Sequence, residues 1–235
     1  MNEQLNGISA AGLETARDPV NQDLFDLARL EGVARLGLMN SHVWRHDPKR
    51  LVFTLARYKF VAKMLAGRTN VVEYGCGDAF CSRLIGQEVA NLTVTDFDPA
   101  FIADAIARMA PPWVFEAKTH DIVAGPLDGA YDAAYALDVL EHIPAELEDR
   151  TLTHIKSSLT EHGVLIIGMP SLESQAHASP QSKAGHVNCK TGEALRQTML
   201  RHFHTVFMFS MNDEIVHTGF FPMAHYLLAI GCAKR

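Results

Sequence analysis

The sequence predicts an α/β fold, with a mostly parallel sheet of seven strands covered by helices on both faces. Short apolar runs alternate with helix-compatible segments over residues 71–168, which is typical of repeated strand–helix units. Residues 164–167 are apolar throughout, as in a strand that is buried on both faces. The Gly-Cys-Gly turn at residues 75–77 favours a ligand site, because glycine accepts positive φ and lets a ligand approach the main chain.

The amino-terminal segment is predicted to be an arm followed by a helix. Residues 1–20 are polar and unpatterned, and we expect them to form a mobile arm. Apolar residues recur every three or four positions over residues 22–38, which indicates one face of a helix. Gly32 and Gly37 weaken the prediction of a single unbroken helix.

A second helix is predicted before the sheet begins. Residues 40–47 are expected to break the first helix, and Pro48 to start the second, with Gly67 as its C-cap. We therefore expect an arm and cap helix over residues 1–50 and a ligand-binding domain over residues 51–235.

The remaining elements follow from the apolar runs and the helix start and stop signals. Strands are predicted over residues 71–74, 92–95, 113–117, 131–137, 163–168, 205–210 and 224–233. Helices are predicted over residues 80–87, 99–109, 145–159 and 191–203. Pro99 suits a first helical turn, and Gly163 is expected to end the third of these helices. Residues 170–190, rich in Ser, Gln and His, are expected to form a long loop, either a substrate lid or a variable surface loop.

Composition and charge favour small-molecule chemistry. The 235 residues are 48% hydrophobic and 20% charged, ordinary values for one globular domain. The net charge is −6 and the basic residues are scattered, whereas nucleic-acid-binding proteins usually show a basic face. No apolar run reaches the length of a membrane span, and residues 1–15 lack the hydrophobic core of a secretory signal. We expect a cytoplasmic protein that acts on a small molecule, without nucleic acid or membrane, and that could form a homodimer.

The cysteines and histidines do not predict a metal site. The four cysteines form no CxxC pair, so reduced thiols are expected. Although His186 and Cys189 are three residues apart, no second spaced pair completes a structural zinc pattern. We therefore expect no metal, and assign most of the 12 histidines to loops and surface.

Acidic residues recur where the predicted strands end. Glu73 precedes the glycine turn, and Asp96 lies about twenty residues beyond it, where an α/β nucleotide-binding fold places the carboxylate that holds ribose hydroxyls. Asp121 and Asp138 occupy comparable positions further along the chain. The recurrence favours a nucleotide-like cofactor over a tight turn without a ligand.

These motifs resemble those of the class I S-adenosylmethionine-dependent methyltransferases, over about residues 50–233. Residues 73–77, Glu-Tyr-Gly-Cys-Gly, resemble the first motif of that family, and residues 96–99 the second. Residues 121–122 resemble its adenine-reading acidic position, and residues 137–143 its fourth motif, in a form similar to quinone-biosynthesis and small-molecule methyltransferases. The resemblance implies S-adenosyl-L-methionine as the cofactor and a Rossmann-like sheet with an antiparallel strand near the carboxyl terminus.

The resemblance also implies roles for the turn. Gly75 and Gly77 let the main chain pass the cofactor at van der Waals distance, and Glu73 orders the turn and faces the cofactor's amino group through water. Ala79 stands where many members of the family carry a third glycine, so we expect slightly tighter packing against the methionyl part.

Further cofactor contacts follow from the same resemblance. Asp96 suits the ribose diol, since one carboxylate can accept two hydroxyl hydrogen bonds. Asp121 could accept from the adenine amino group, with the Ile122 amide beside a ring nitrogen, and Leu137 and Asp138 would lie beside the sulfonium. The predicted cofactor-binding residues are Glu73, Tyr74, Gly75, Gly77, Asp96, Phe97, Asp121, Ile122, Leu137 and Asp138.

Residues of the amino-terminal cap are candidates for the cofactor's carboxylate. Arg57, or Trp44 with Arg50, could hold it. The alternative is that these side chains are solvated on helix faces.

Three histidines are candidates for catalysis. Methyl transfer needs alignment above all, and a hydroxyl nucleophile also benefits from a general base. His142, five residues beyond Leu137, is the first candidate because histidine titrates near neutrality, although it could only cap the following turn. His177 and His186, in the predicted loop, are second candidates. Residues 211–214 and 217–221 could form a substrate wall or a simple hairpin end.

The predicted function is methyl transfer to an oxygen or nitrogen of a small polar metabolite, such as a sugar or another glycan precursor. Quinone biosynthesis and non-catalytic binding of S-adenosylmethionine remain as alternatives. A nicotinamide-dependent oxidoreductase is disfavoured because residues 138–160 contain no tyrosine for a Tyr-x-x-x-Lys pair. A nucleic-acid methyltransferase is disfavoured by charge and by the absence of an Asn/Asp-Pro-Pro-Tyr motif.

Overall fold

A computed structural model describes most of the chain. The described residues are 4–5, 8–9 and 14–235. Much of the arm predicted over residues 1–20 therefore lies outside the described residues.

The chain separates into two compact units, Met1–Leu36 and Gly37–Arg235. The first unit contains the short antiparallel strands β1 (Gln4–Leu5) and β2 (Ile8–Ser9), and helix α1 (Gln22–Glu31). The predicted division into residues 1–50 and 51–235 stays a prediction.

The helix predicted over residues 22–38 is shorter than expected. It ends at Glu31 because Gly32 adopts φ +79°, a left-handed conformation that stops an α-helix. The expectation of a helix break at residues 40–47 is wrong, since the second unit begins with helix α2 (Leu38–His46). Within α2, Asn40 is anchored by tertiary hydrogen bonds to Asp78, which override the weak helix propensity of asparagine.

The remaining helices follow the prediction with shifted ends. They are α3 (Pro48–Leu65), α4 (Arg83–Gly86), α5 (Pro99–Ala107), α6 (Ala145–Ser158), α7 (Pro180–Gly185) and α8 (Gly192–His202). The helix expected over residues 80–87 is a single turn, and the loop expected over residues 170–190 contains α7 and the 3-10 helix Glu173–His177.

The second unit is built on one eight-stranded sheet. Its strands are β3 (Asn70–Tyr74), β4 (Asn91–Asp96), β5 (Glu116–Thr119), β6 (Tyr131–Leu137), β7 (Leu159–Pro170), β8 (Phe203–Asn212), β9 (Ile215–His217) and β10 (Tyr226–Lys234). The spatial order is β5-β4-β3-β6-β7-β10-β8-β9. Strands β3 to β7 are mutually parallel, and β10 runs antiparallel to both β7 and β8. The predicted fold class is confirmed.

Three details of the sheet differ from the prediction. The third strand begins at Glu116 rather than residue 113, because Trp113 forms an isolated bridge with Ala110. Gly163 does not end a helix but lies inside β7, where a Cβ would come within 2.9 Å of Leu159 Cβ. The eighth strand, β9, is a short edge strand that the sequence analysis did not include.

The core consists of two apolar clusters, one on each face of the sheet. One packs beneath α3, α4 and α5, and the other beneath α6 and α8. Adjacent residues of β3 point to opposite faces, so that Val71 joins the first cluster and Val72 the second. Strand β3 pairs with β4 on one side and with β6 on the other. The chain runs from β3 through β4 to β5 at one edge and then returns to β6, so that the strand order reverses beside β3 and creates a topological switch point at the carboxyl ends of β3 and β6.

Among the residues that the structure describes, none of the helices has both the length and the apolar composition that a membrane crossing requires.

Candidate active site

The glycine turn after β3 has the left-handed backbone that the sequence predicts. Gly75 and Gly77 adopt φ +74° and +53°. A Cβ on Gly75 would collide with Val139, and one on Gly77 would lie 2.5 Å from the Met39 Cε atom. Ala79 also adopts positive φ, at +53°, although it is not glycine. The turn therefore stores strain of the kind found at functional sites.

Asp96 lies at the end of β4, directly beside this turn. Its Oδ2 accepts a hydrogen bond from Gly77 N at 2.8 Å, and its Oδ1 accepts one from Asp98 N at 2.9 Å. Each carboxylate oxygen has two lone pairs, so both can still accept a further hydrogen bond. The side chain is buried, and its position at the carboxyl end of β4 places this acceptor pair beside the switch point.

Glu73 is buried beneath the turn and is bound by the protein's own hydroxyl groups. Its carboxylate accepts hydrogen bonds from Tyr58 at 2.6 Å, from Tyr135 at 2.8 Å and from Ser82. Burial raises the pKa of Glu73 to about 6. These bonds tie α3, β6 and the segment after the turn together, which accounts for an ordering role. Its contact with a cofactor amino group stays a prediction.

The other predicted cofactor residues differ in the solvent exposure of their side chains. Phe97, just after β4, is 74% exposed, and Asp121 is exposed with Oδ1 accepting from Val123 N at 2.9 Å. Ile122 is buried. The Tyr74 side chain points to the opposite face and bonds to Ser158 at 2.6 Å, so only its main chain is available at the turn.

Asp78 is a residue of the turn that the sequence analysis did not assign. It is fully buried, and its carboxylate accepts hydrogen bonds from Asn40 N at 2.7 Å and from Asn40 Nδ2 at 2.6 Å. The start of α2 is thereby fixed over the glycine turn. An acid within a glycine-rich turn is a weak signal, and its partner lies 38 residues away in sequence.

Asp138 follows β6 and is paired with an arginine of α3. Its backbone has φ +57°, and Arg57 Nη1 donates to both carboxylate oxygens at 3.1 and 2.9 Å. The guanidinium lies 3.8 Å from the centroid of the Tyr226 ring. The structure therefore gives Arg57 a protein partner, whereas Trp44 and Arg50, the other predicted carboxylate ligands, are exposed.

Two of the three predicted catalytic histidines are neighbours. The rings of His142 and His186 have centroids 5.2 Å apart. Nδ1 of His142 lies 2.9 Å from the Gly185 carbonyl oxygen, and Nδ1 of His186 lies 2.8 Å from Gln175 Oε1. The third, His177, is exposed at the end of its 3-10 helix and is not a member of this pair, so its catalytic role stays a prediction.

Glu141 joins the two histidines. Its main-chain oxygen accepts from Val187 N at 2.8 Å and from Asn188 N at 3.0 Å, which holds the end of α7 against the residues after β6. The side chain is fully buried, and neither carboxylate oxygen has a hydrogen-bond partner among residues 14–235. Burial raises the pKa of Glu141 well above its usual range. In the sequence, Glu141 stands out only as part of the motif at residues 137–143, because a contact with residue 186 leaves no local signal.

Of the residues predicted as a substrate wall, residues 211–214 span the turn between β8 and β9, and residues 217–221 run from the end of β9 to the next 3-10 helix. His217 Nδ1 lies 3.0 Å from Ser210 Oγ, which joins β8 to β9, and Phe220 is largely exposed. Neither observation distinguishes a substrate wall from a plain hairpin.

One groove lies away from these groups. It has a volume of about 870 Å³ and is lined by residues at the amino-terminal ends of β3, β4 and β6, such as Asn70, Leu92 and Tyr131. Ligands of open α/β sheets bind at the carboxyl ends of the strands, so we assign the active site to the turn, Asp96 and Asp138 rather than to this groove.

Comparison with known proteins agrees with this geometry. A family model described as a methyltransferase domain matches residues 43–202. Over 112 residues the chain is 30% identical to a chloroplastic magnesium protoporphyrin IX methyltransferase of Arabidopsis thaliana, a match that covers 46% of this chain. The match covers 35% of the relative, so this chain spans about a third of the relative's length.

Solved structures show the same fold. The N-methyltransferase NodS from Bradyrhizobium japonicum WM9, in complex with S-adenosyl-L-homocysteine, has a TM-score of 0.57 at 18% identity, covering 81% of this chain and 91% of that one. The magnesium protoporphyrin IX methyltransferase ChlM from Synechocystis PCC 6803, with the same ligand bound, has a TM-score of 0.54 at 19% identity, covering 92% and 97%. Because the family model covers more than half of the sequence, the chain belongs to the methyltransferase domain family, among the class I S-adenosylmethionine-dependent methyltransferases that its motifs resemble.

Proposed function

We propose that the protein transfers a methyl group from S-adenosylmethionine to an oxygen or nitrogen of a small polar molecule, such as a sugar or another glycan precursor. The sulfur–methyl bond breaks as the bond from the acceptor atom to carbon forms, S-adenosylhomocysteine leaves, and the acceptor loses its proton. The protein's main contribution is to align the two reactants, which is worth roughly 7–11 kcal/mol in favourable cases.

The observation that carries this proposal is the position of Asp96. Its buried carboxylate lies at the switch point against Gly77 N, where both oxygens retain acceptor capacity. This supports binding of the ribose diol, with the exposed ring of Phe97 next to it as a surface for adenine. Asp121, just after β5, supports a contact with the adenine amino group.

A polar acceptor is supported by the groups beyond β6. Arg57 Nε and both Glu141 carboxylate oxygens are buried and have no hydrogen-bond partner among the described residues. Buried polar atoms nearly always have partners, so this concentration favours an acceptor with hydroxyl or amino groups over an apolar quinone. His142 and His186 lie beside Glu141, and we assign them a role in binding the acceptor.

Cofactor binding is tested by calorimetry with S-adenosylmethionine, and with NAD as the competing cofactor. Asp96→Ala removes two charge-assisted hydrogen bonds and should weaken S-adenosylmethionine binding by about a hundredfold or more. Asp98→Ala is the matched control: it removes the N-cap of α5, at about 1 kcal/mol of stability, and should leave cofactor affinity unchanged. Equal affinities for the two variants, or preferential binding of NAD, would contradict the proposal.

Turnover is tested by mass spectrometry of acceptors incubated with the protein and S-adenosylmethionine. Sugars, phenols and magnesium protoporphyrin IX form the first panel, followed by a metabolite extract. The expected result is a mass gain of one methylene unit in a polar acceptor. Tight cofactor binding without any methylated product would instead support a non-catalytic binding protein.

A further inference from the structure

Glu141, His142 and His186 form a cluster of possible metal ligands. One carboxylate oxygen and one ring nitrogen from each histidine all lie within 4.8 Å of one another. Glu141 and His142 end the 3-10 helix Leu140–His142, which follows β6, and His186 directly follows α7. The hydrogen bonds from Val187 N and Asn188 N to the Glu141 main-chain oxygen fix the two segments together, so the cluster is built by the fold.

Both histidines are held in the same tautomer. The Gly185 carbonyl oxygen and Gln175 Oε1 can only accept, so Nδ1 of His142 and Nδ1 of His186 each carry the hydrogen and donate it. The lone pair of each ring is therefore on Nε2. Histidines that bind metals are oriented in this way, by donating the other ring N–H to a carbonyl or carboxylate oxygen.

Glu141 supplies an independent indication of a bound cation. Its carboxylate is fully buried, and neither oxygen has a hydrogen-bond partner among the described residues. Negative charge on a buried carboxyl group without a partner is strongly disfavoured, and a bound cation would compensate it. The Arg57 guanidinium, the nearby cation, is already bonded to Asp138. A divalent cation held between Glu141 and the two imidazoles would satisfy all three groups at once.

We propose that Glu141, His142 and His186 form a binding site for a divalent first-row transition-metal ion such as Zn²⁺. Two imidazoles and one carboxylate are a ligand set that favours these ions over Mg²⁺, which prefers oxygen ligands. Three protein ligands leave coordination positions open for a substrate, as in catalytic rather than structural zinc sites.

This site deepens the proposed function and rests on it. The cluster lies close in sequence to the end of β6, where the methyl group is expected, because Asp138 directly follows β6 and Glu141 and His142 end the 3-10 helix Leu140–His142 after it. A bound metal would coordinate an acceptor hydroxyl and lower its pKa, so that the proton is released to water. The resulting oxygen anion then attacks the methyl carbon as the sulfur–carbon bond breaks. The substrate class is therefore a hydroxylated acceptor, and His142 is a metal ligand rather than the general base.

Metal binding is measured directly, without relying on activity. The full-length protein is stripped with a chelator, dialysed and titrated with Co²⁺ followed by visible absorption, and with Zn²⁺ in competition with a chromophoric chelator. Glu141→Gln removes the charge at constant shape, and His186→Ala removes one imidazole. His177→Ala is the matched control, since His177 is an exposed histidine of the preceding 3-10 helix outside the cluster. Cys189→Ser controls for thiol binding, because Cys189 is a partly buried free thiol close to Glu141.

The expected result is one saturable ion per chain for the parent protein, His177→Ala and Cys189→Ser. Removing a group that hydrogen-bonds to a metal ligand typically weakens metal binding about 10–100-fold. Loss of a ligand itself, in Glu141→Gln or His186→Ala, should therefore weaken metal binding by about a hundredfold or more. Unchanged metal affinity in both ligand variants, or no saturable binding by the parent protein, would overturn the proposal. Thermal melting without metal confirms that the variants fold.

S-adenosylmethionine binding is measured on the same samples and separates this proposal from the proposed function. Chelator-treated protein and Glu141→Gln should bind the cofactor as the parent protein does. If the parent protein binds S-adenosylmethionine but no metal, the proposed metal site is wrong and the proposed function stands. If the parent protein does not bind S-adenosylmethionine, the proposed function is contradicted.

Discussion

At the scale of single residues, the atoms around a glycine decide what that glycine is needed for. Gly67 and Gly75 have similar positive φ angles, +81° and +74°. A Cβ on Gly67 would meet nothing within 4 Å, while one on Gly75 would collide with Val139. Gly67 is therefore needed only for its backbone freedom, whereas Gly75 is also needed for the close approach of the segment after β6.

Glu73 is the residue whose titration should be visible in the stability of the protein. Burial raises its pKa from 4.5 to about 6. Between these values the unfolded chain releases a proton that the folded protein retains. The contribution of Glu73 is thus fully favourable below pH 4.5, and it is lost as the pH rises through about 6. At about 1.36 kcal/mol per pH unit, the loss amounts to about 2 kcal/mol.

Glu73→Gln should remove this dependence on pH. The free energy of unfolding, measured by urea denaturation at several pH values, should rise for the variant relative to the parent protein by about 2 kcal/mol between pH 4.5 and 7. Parallel pH profiles for the two proteins would show that Glu73 titrates like an ordinary carboxyl group.

At the scale of elements, a buried contact with Asp78 anchors the start of α2. Asn40 donates to Asp78 through both its main chain and its side chain. Asn40→Ala leaves one Asp78 oxygen without its side-chain donor, which should lower the free energy of unfolding by about 1–3 kcal/mol. Ser41→Ala, at an exposed position of the same helix, is the matched control and should change stability by less than about 0.5 kcal/mol. Equal effects would mean that α2 is held by helix propensity rather than by Asp78.

The elements also show what could be predicted from the sequence. The parallel strands and the turn at Gly75 were predictable because they have local signals: apolar runs, glycines and acids at strand ends. The start of α2 was not, because its anchor at Asp78 is remote in sequence. The cluster of Glu141 with His186 was missed for the same reason, since a main-chain hydrogen bond across 46 residues brings the two segments together. Gly163 was misassigned because glycine ends helices and also permits irregular strands.

At the scale of the whole molecule, the proposed cofactor site and both core clusters belong to the unit Gly37–Arg235. Every fully buried member of the two clusters lies between Leu51 and Ala229. The residues assigned to the cofactor lie between Glu73 and Asp138. A shortened chain that begins at Gly37 should therefore unfold cooperatively and bind S-adenosylmethionine with the affinity of the full chain.

Thermodynamic linkage provides the measurement for this last prediction. A ligand that binds only the folded state at a hundred times its dissociation constant stabilises it by about 2.7 kcal/mol. For a chain of this size that corresponds to a rise in melting temperature of roughly 5–11 °C. The full and shortened chains should show the same rise with S-adenosylmethionine and none with NAD. If the shortened chain melts cooperatively but shows no rise while the full chain does, residues 1–36 must supply part of the cofactor site, and the assignment of that site to the second unit alone would be wrong.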